Sequence, residues 1–147
     1  MKNILVVDDA EKKVKKLREL LGELDPAGEK YNLVVPITPR PNSEGAYDDK
    51  GTIYSFLDTQ GLNDISVIFQ EHNLSNVKGH ELVPVYRERE YRGPIISFTA
   101  SDWSWYQKLS FASTDLALGF TAVFPWGDKF KEEQLEFLRE NLPWLFA

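Results

Sequence analysis

Ile4-Leu5-Val6-Val7 is an unbroken run of large aliphatic side chains, closed at once by Asp8 and Asp9. In an extended strand successive side chains point to opposite faces, so a run without polar alternation needs cover on both sides. That requirement argues against a sheet with one wet face and points to a parallel sheet between two helix layers. The next segment supplies such a helix. Over Glu11–Leu24, Val14, Leu17, Leu21 and Leu24 recur at helical spacing, with lysines and glutamates on the other face. Asp25-Pro26-Ala27-Gly28 ends it.

The alternation continues along the chain. Further strands are expected at 32–38, 64–69, 94–98 and 120–124, and helices at 53–62, 80–91, 101–118 and 131–141. Pro36 lacks a ladder donor, which places the second strand near an edge or ends it early. Pro84 is tolerated best in a first turn, so the third helix begins near 79–81 or is kinked. Residues 39–52 are rich in Pro, Gly, Asn, Ser and Asp and read as a long exposed loop. The tail 142–147 is apolar and costly to leave in water. The reading is an α/β fold, a doubly wound five-stranded parallel sheet with helices on both faces.

The 147 residues suit a single domain, 1–147. Asp+Glu 23 against Lys+Arg 17 gives a net charge of -6, which disfavours nucleic acid or an anionic membrane as partner. The chain has no cysteine, which excludes a disulfide framework, thiol catalysis and cysteine-bound zinc. That fits a reducing compartment, and the expected location is the cytoplasm. No apolar run approaches the roughly 20 residues that a membrane-spanning helix needs.

Sheets of this kind carry their sites at the C-terminal ends of the strands. Asp8 and Asp9 follow the first strand and Glu71 the third, so three carboxylates are expected to converge. Such a group either holds a hard cation such as Mg2+ through oxygen ligands or caps the following helices, where the N-terminal dipole favours acids. His72 adjoins this rim and either tunes it or is a solvated loop residue. No P-loop, nucleophile elbow or G-x-G-x-x-G is present.

The opening ILVVDDAEKKVKKLRELL resembles that of a response-regulator receiver domain, and VIFQEHNLSNVKGHEL resembles the segment around its phosphoacceptor. Phe98-Thr99-Ala100 is similar to the switch threonine and its small neighbour, and Val123-Phe124-Pro125 to the end of the fifth strand. The resemblance implies a flavodoxin-like fold with strand order 2-1-3-4-5. It implies that Asp8, Asp9, Glu71 and the Asn73 carbonyl stand where the family holds Mg2+. Thr99 and Phe124 stand at the switch positions.

Two parts of the family's chemistry are changed. Glu71 replaces the phosphorylated aspartate; its extra methylene displaces the carboxylate by about 1.3 Å, and a misplacement of about 1 Å can cost about 100-fold in rate. Phe124 replaces the lysine that contacts the phosphoryl group, and an aromatic ring cannot supply that charge. Lys129 is the nearest lysine after it.

The expectation is an atypical, stand-alone pseudo-receiver that acts in signal transduction through protein–protein contact, without phosphorylation, and is not an enzyme. Its partner would be a signalling protein such as a histidine kinase or a second copy of the chain. Glu71 is then either a fixed mimic of the phosphorylated state or a solvated carboxylate. No resident cofactor is expected beyond a possible Mg2+. The rival readings are a receiver with residual Mg2+-dependent phosphotransfer and a small Mg2+-dependent phosphohydrolase. The chain between Asp9 and Glu71 is longer than the family usual, with the excess around 39–60; this insertion is either a passive excursion or a cover over the site. Trp103, Trp105 and Trp126 are either core residues or a partner surface.

Overall fold

The two faces of the first strand are covered by different helices. The structure, a computed structural model, describes residues 1–41, 46–99 and 111–146. The strands are β1 (Lys2–Val7), β2 (Tyr31–Val34), β3 (Ile65–Gln70), β4 (Ile95–Ser97) and β5 (Ala122–Val123). The helices are α1 (Glu11–Leu24), α2 (Asp49–Thr59), α3 (Gly79–Glu88), α4 (Phe111–Ala117) and α5 (Lys131–Asn141), followed by a 3-10 turn at Pro143–Phe146. All pairings are parallel and the order is β2-β1-β3-β4-β5, as expected.

Ile4 and Val6 face one side, against Val14, Leu17 and Leu21 of α1 and Leu138 of α5. Leu5 and Val7 face the other, against Ile53 and Leu57 of α2 and Leu82 and Tyr86 of α3. All four β1 side chains are fully buried. The apolar tail joins the α1–α5 side, where Leu142 and Leu145 are fully buried. Among the described residues no helix is long and apolar enough to cross a membrane.

Two expectations shift. β2 is an edge strand, but it stops at Val34 rather than at 38, ahead of Pro36. Helix α2 begins at Asp49, inside the stretch 39–52 read as loop. There the Asp48 carboxylate accepts the Gly51 N–H at 2.9 Å and caps the first turn. Residues 49–59 of the supposed insertion are therefore a regular layer helix, and the described residues 35–41 and 46–48 lie outside the helices and strands.

Gly79 opens α3 where the β3–α3 loop folds back. Its N–H donates to the His72 carbonyl at 2.7 Å, and a Cβ there would lie 2.1 Å from the Glu71 carbonyl oxygen. Gly22, inside α1, has nothing within 4 Å of an added Cβ. Gly79→Ala is expected to lose about 2–3 kcal/mol of stability, whereas Gly22→Ala is expected to gain about 0.5–1 kcal/mol. Urea unfolding of the two variants checks the pair.

Candidate functional site

Asp8, Glu71 and Thr99 lie just beyond the C-terminal ends of β1, β3 and β4, and all three are buried. The acids do converge, but on a side chain that the sequence reading placed with the solvated face of α1. Lys13 is 3% exposed. Its Nζ forms ion pairs with Asp8 Oδ2 at 2.7 Å and with Glu71 Oε2, and donates to the Phe98 carbonyl at 2.5 Å. The ammonium lies 4.7 Å from the Phe98 ring centroid and 5.8 Å from that of Trp126.

The other carboxylate oxygens are also engaged. Asp8 Oδ1 accepts the Ala10 N–H at 2.8 Å. Glu71 Oε1 accepts the N–H groups of His72 at 2.6 Å and Asn73 at 3.2 Å. Asp9 is held by Arg40, whose Nη2 lies 2.8 Å from Asp9 Oδ2. Arg40 also forks onto both oxygens of Asp49 at 3.0 Å and stacks 3.7 Å from the Tyr47 ring centroid. Its backbone N–H donates to the Asp9 carbonyl, and its carbonyl accepts from Glu11. Asp49 in turn accepts the Ser75 N–H at 2.8 Å. Arg40 is thus tied to Asp9 on the acidic rim and, through Asp49 of α2, to the β3–α3 loop.

This donor set does not fit a divalent cation. Mg2+ demands near-octahedral oxygen coordination at about 2.0–2.1 Å. Here the carboxylates are committed to Lys13, Arg40 and backbone amides, and aromatic rings flank the ammonium. Asn73 follows in the β3–α3 loop, where its side chain, not the carbonyl expected as a ligand, accepts from Lys78 Nζ at 3.0 Å. Among the described residues no group of three His, Cys, Asp or Glu is arranged to hold a metal.

Phe124 occupies the expected lysine position as a buried ring, with centroid 5.1 Å from Phe98 and 6.3 Å from Phe69. The ammonium beside Asp8 and Glu71 is that of Lys13 in α1, and Lys129 is exposed. Trp126 is half-buried and meets Phe98 edge-on at 5.7 Å, so part of its ring belongs to the wall around Lys13. Trp103 and Trp105 lie outside the described residues.

His72 turns away from the rim. Its Nε2 lies 2.8 Å from Ser97 Oγ and 3.2 Å from Asp115 Oδ2, and its ring stacks on Phe120 at 5.2 Å. Ser97 donates to Asp115 Oδ2 at 2.6 Å. The grouping of Ser, His and Asp is not a catalytic relay. A relay needs the aspartate on the second ring nitrogen, whereas Asp115 meets the serine directly and shares Nε2, and Ser97 is fully buried. These contacts fasten α4 to the ends of β3 and β4.

Lys13, Arg40, Asp49 and Asp115 were missed in the sequence. The available signal for Lys13 was its place four residues before Leu17 and seven before Leu20, on the buried stripe of α1.

No protein-family model and no curated protein matches the chain by sequence. Solved structures match it by shape. The Mn(2+)-bound form of response regulator Rcp1 aligns with TM-score 0.59 and 17% identity, covering 95% of this chain and 93% of that one. The bacteriophytochrome response regulator RtBRR aligns at 0.61 and 17% over 100% and 79% of the two chains. Response regulator protein TrrA from Thermotoga maritima, in complex with Mg(2+)-BeF, aligns at 0.55 and 23% over 99% of each. At these identities the likeness is one of fold: the sheet and its helices match the flavodoxin-like receiver fold.

Burial pushes the Asp8 carboxyl up to about 6; Lys13 pulls it down, and the Glu71 charge pushes it further up. Between its ordinary 3.8 and about 6, the folded chain holds a proton that the unfolded chain has released. Stability from this group therefore grows as pH falls through 6 and is lost as pH rises. From about pH 7 to about pH 4, wild type is expected to gain stability relative to Asp8→Asn. Urea midpoints of the two proteins at both pH values measure the difference.

Proposed function

We propose that this chain is a receiver-fold signalling module that works through protein–protein contact, without phosphotransfer and without catalysing a reaction of its own. The observation that carries the reading is the state of Glu71. It is 7% exposed, one oxygen is ion-paired with Lys13, and the other accepts two backbone N–H groups. A nucleophile in phosphoryl transfer must present an oxygen in line with the phosphorus, with cationic groups left to stabilise the equatorial oxygens. Here the cation nearest that position is spent on the acids themselves. The signalling half of the reading rests on the structural neighbours, which carry the names of response regulators and their receiver domains.

Glu71 is then a permanent negative charge in a fixed setting. Lys13 joins the ends of β1, β3 and β4 through Asp8, Glu71 and Phe98, and His72 with Ser97 and Asp115 extends the connection to α4. A module built this way presents one constant surface. The class of partner is a protein of a signalling pathway, a histidine kinase or a second copy of the chain.

The test is incubation of the full chain with acetyl phosphate and Mg2+, followed by intact mass measurement. No phosphoryl adduct is expected. An adduct that appears in wild type and disappears in Glu71→Gln overturns the reading. In a parallel arm, the chain is expected to release no phosphate from phosphoesters above the buffer rate; steady turnover rules out a purely non-enzymatic role.

A further inference from the structure

Receiver-fold neighbours are seen with Mn(2+) or Mg(2+), and the acids of this chain converge at the matching strand ends. We propose that Lys13, supported by Arg40, is a built-in replacement for the divalent cation, so that the acidic rim is occupied by the protein's own charges and binds no metal.

The geometry suits an ammonium. Such a group has three N–H donors and no acceptor. Nζ of Lys13 donates to Glu71 and to the Phe98 carbonyl and forms an ion pair with Asp8 Oδ2 at 2.7 Å, so it meets the ends of three different strands. The ring faces of Phe98 and Trp126 flank the same charge, an environment favourable to an ammonium and useless as metal ligands. The second cation is Arg40, whose fork takes Asp9 and Asp49.

Position strengthens the competition. The neighbours Val14 and Leu17 are buried in the core, so the base of the Lys13 side chain is fixed by helix docking. A group tethered next to its partners acts at an effective concentration of about millimolar or above. Free Mg2+ would have to displace it, strip its own water and still lack ligands on the aromatic side.

The inference does not rest on the absence of phosphotransfer. Metal binding and the phosphoryl adduct are separate readouts, and either can fail alone.

The experiment is a titration of Mn2+ against the full chain, following free Mn2+ by electron paramagnetic resonance and unfolding by circular dichroism. Wild type is expected to leave the Mn2+ signal and the melting temperature unchanged at millimolar metal. Lys13→Ala removes the ammonium and leaves Asp8 and Glu71 unpaired. It is expected to bind Mn2+ at least about tenfold more tightly than wild type and to melt about 5 °C higher with metal than without. Adding Asp8→Asn to Lys13→Ala is expected to abolish that gain. If Lys13→Ala does not fold in buffer, refolding in Mn2+ becomes the readout, and recovery of the native spectrum supports the proposal. Saturable Mn2+ binding by wild type that Asp8→Asn removes overturns it. So does a Lys13→Ala variant that gains no metal binding, or that Mn2+ fails to refold.

Discussion

One buried ammonium organises the C-terminal edge of the sheet. Burying a lone charge is prohibitively expensive, and a buried ion pair repays that cost only when its remaining hydrogen-bonding capacity is met. Lys13 meets this condition in part: it donates to Glu71 and to the Phe98 carbonyl, and pairs by charge alone with Asp8 Oδ2, which accepts no hydrogen bond among the described residues; each oxygen comes from a separate strand end. Removing one partner of such a pair typically costs about 3–5 kcal/mol because the other charge is stranded. The group is weak evidence of extra stability compared with an apolar core. The strand ends cannot slide apart without leaving an unpaired charge in a dry site.

The charge at this edge is not balanced by Lys13 alone. Two carboxylates meet one ammonium, and the rise of Asp8 to about 6 reflects burial that Lys13 only partly offsets and Glu71 worsens. Asp9 would add a third negative charge. Arg40 takes it up, drawing Asp49 and the Ser75 amide with it. The long connection after β2 therefore has a physical task. It delivers the second cation, and the isolated bridge between Ala10 and Arg40 fixes where that cation lands.

The fold was legible because its determinants are local and periodic. Ile4 to Val7 demanded cover on both faces, and the alternating patterns supplied it. The acids were legible because they follow strands at the edge where such sheets carry their sites. The cations that complete the site were not. Lysine on an amphipathic helix normally marks the solvated side, and its long stem lets the charge travel far from its Cα. Only the stripe shared with Leu17 and Leu20 hinted otherwise. Arg40 sits in a segment without periodicity, so nothing local aims it. The start of α2 was obscured because Asp48, Asp49 and Gly51 read as a turn, whereas one aspartate caps the helix and the other anchors Arg40.

Set against the receiver pattern, the two substitutions visible in the sequence belong together once Lys13 is included. The fifth strand loses its lysine and Phe124 fills the space with a ring against Phe98, which makes that wall apolar. The positive charge among the acids comes from Lys13 of α1, against the Phe98 and Trp126 rings of that wall. The longer Glu71 then has work for both oxygens: one turns back to the amides of its own loop while the other reaches Lys13. The acids and the ammonium thus meet within the chain, with an aromatic wall beside them.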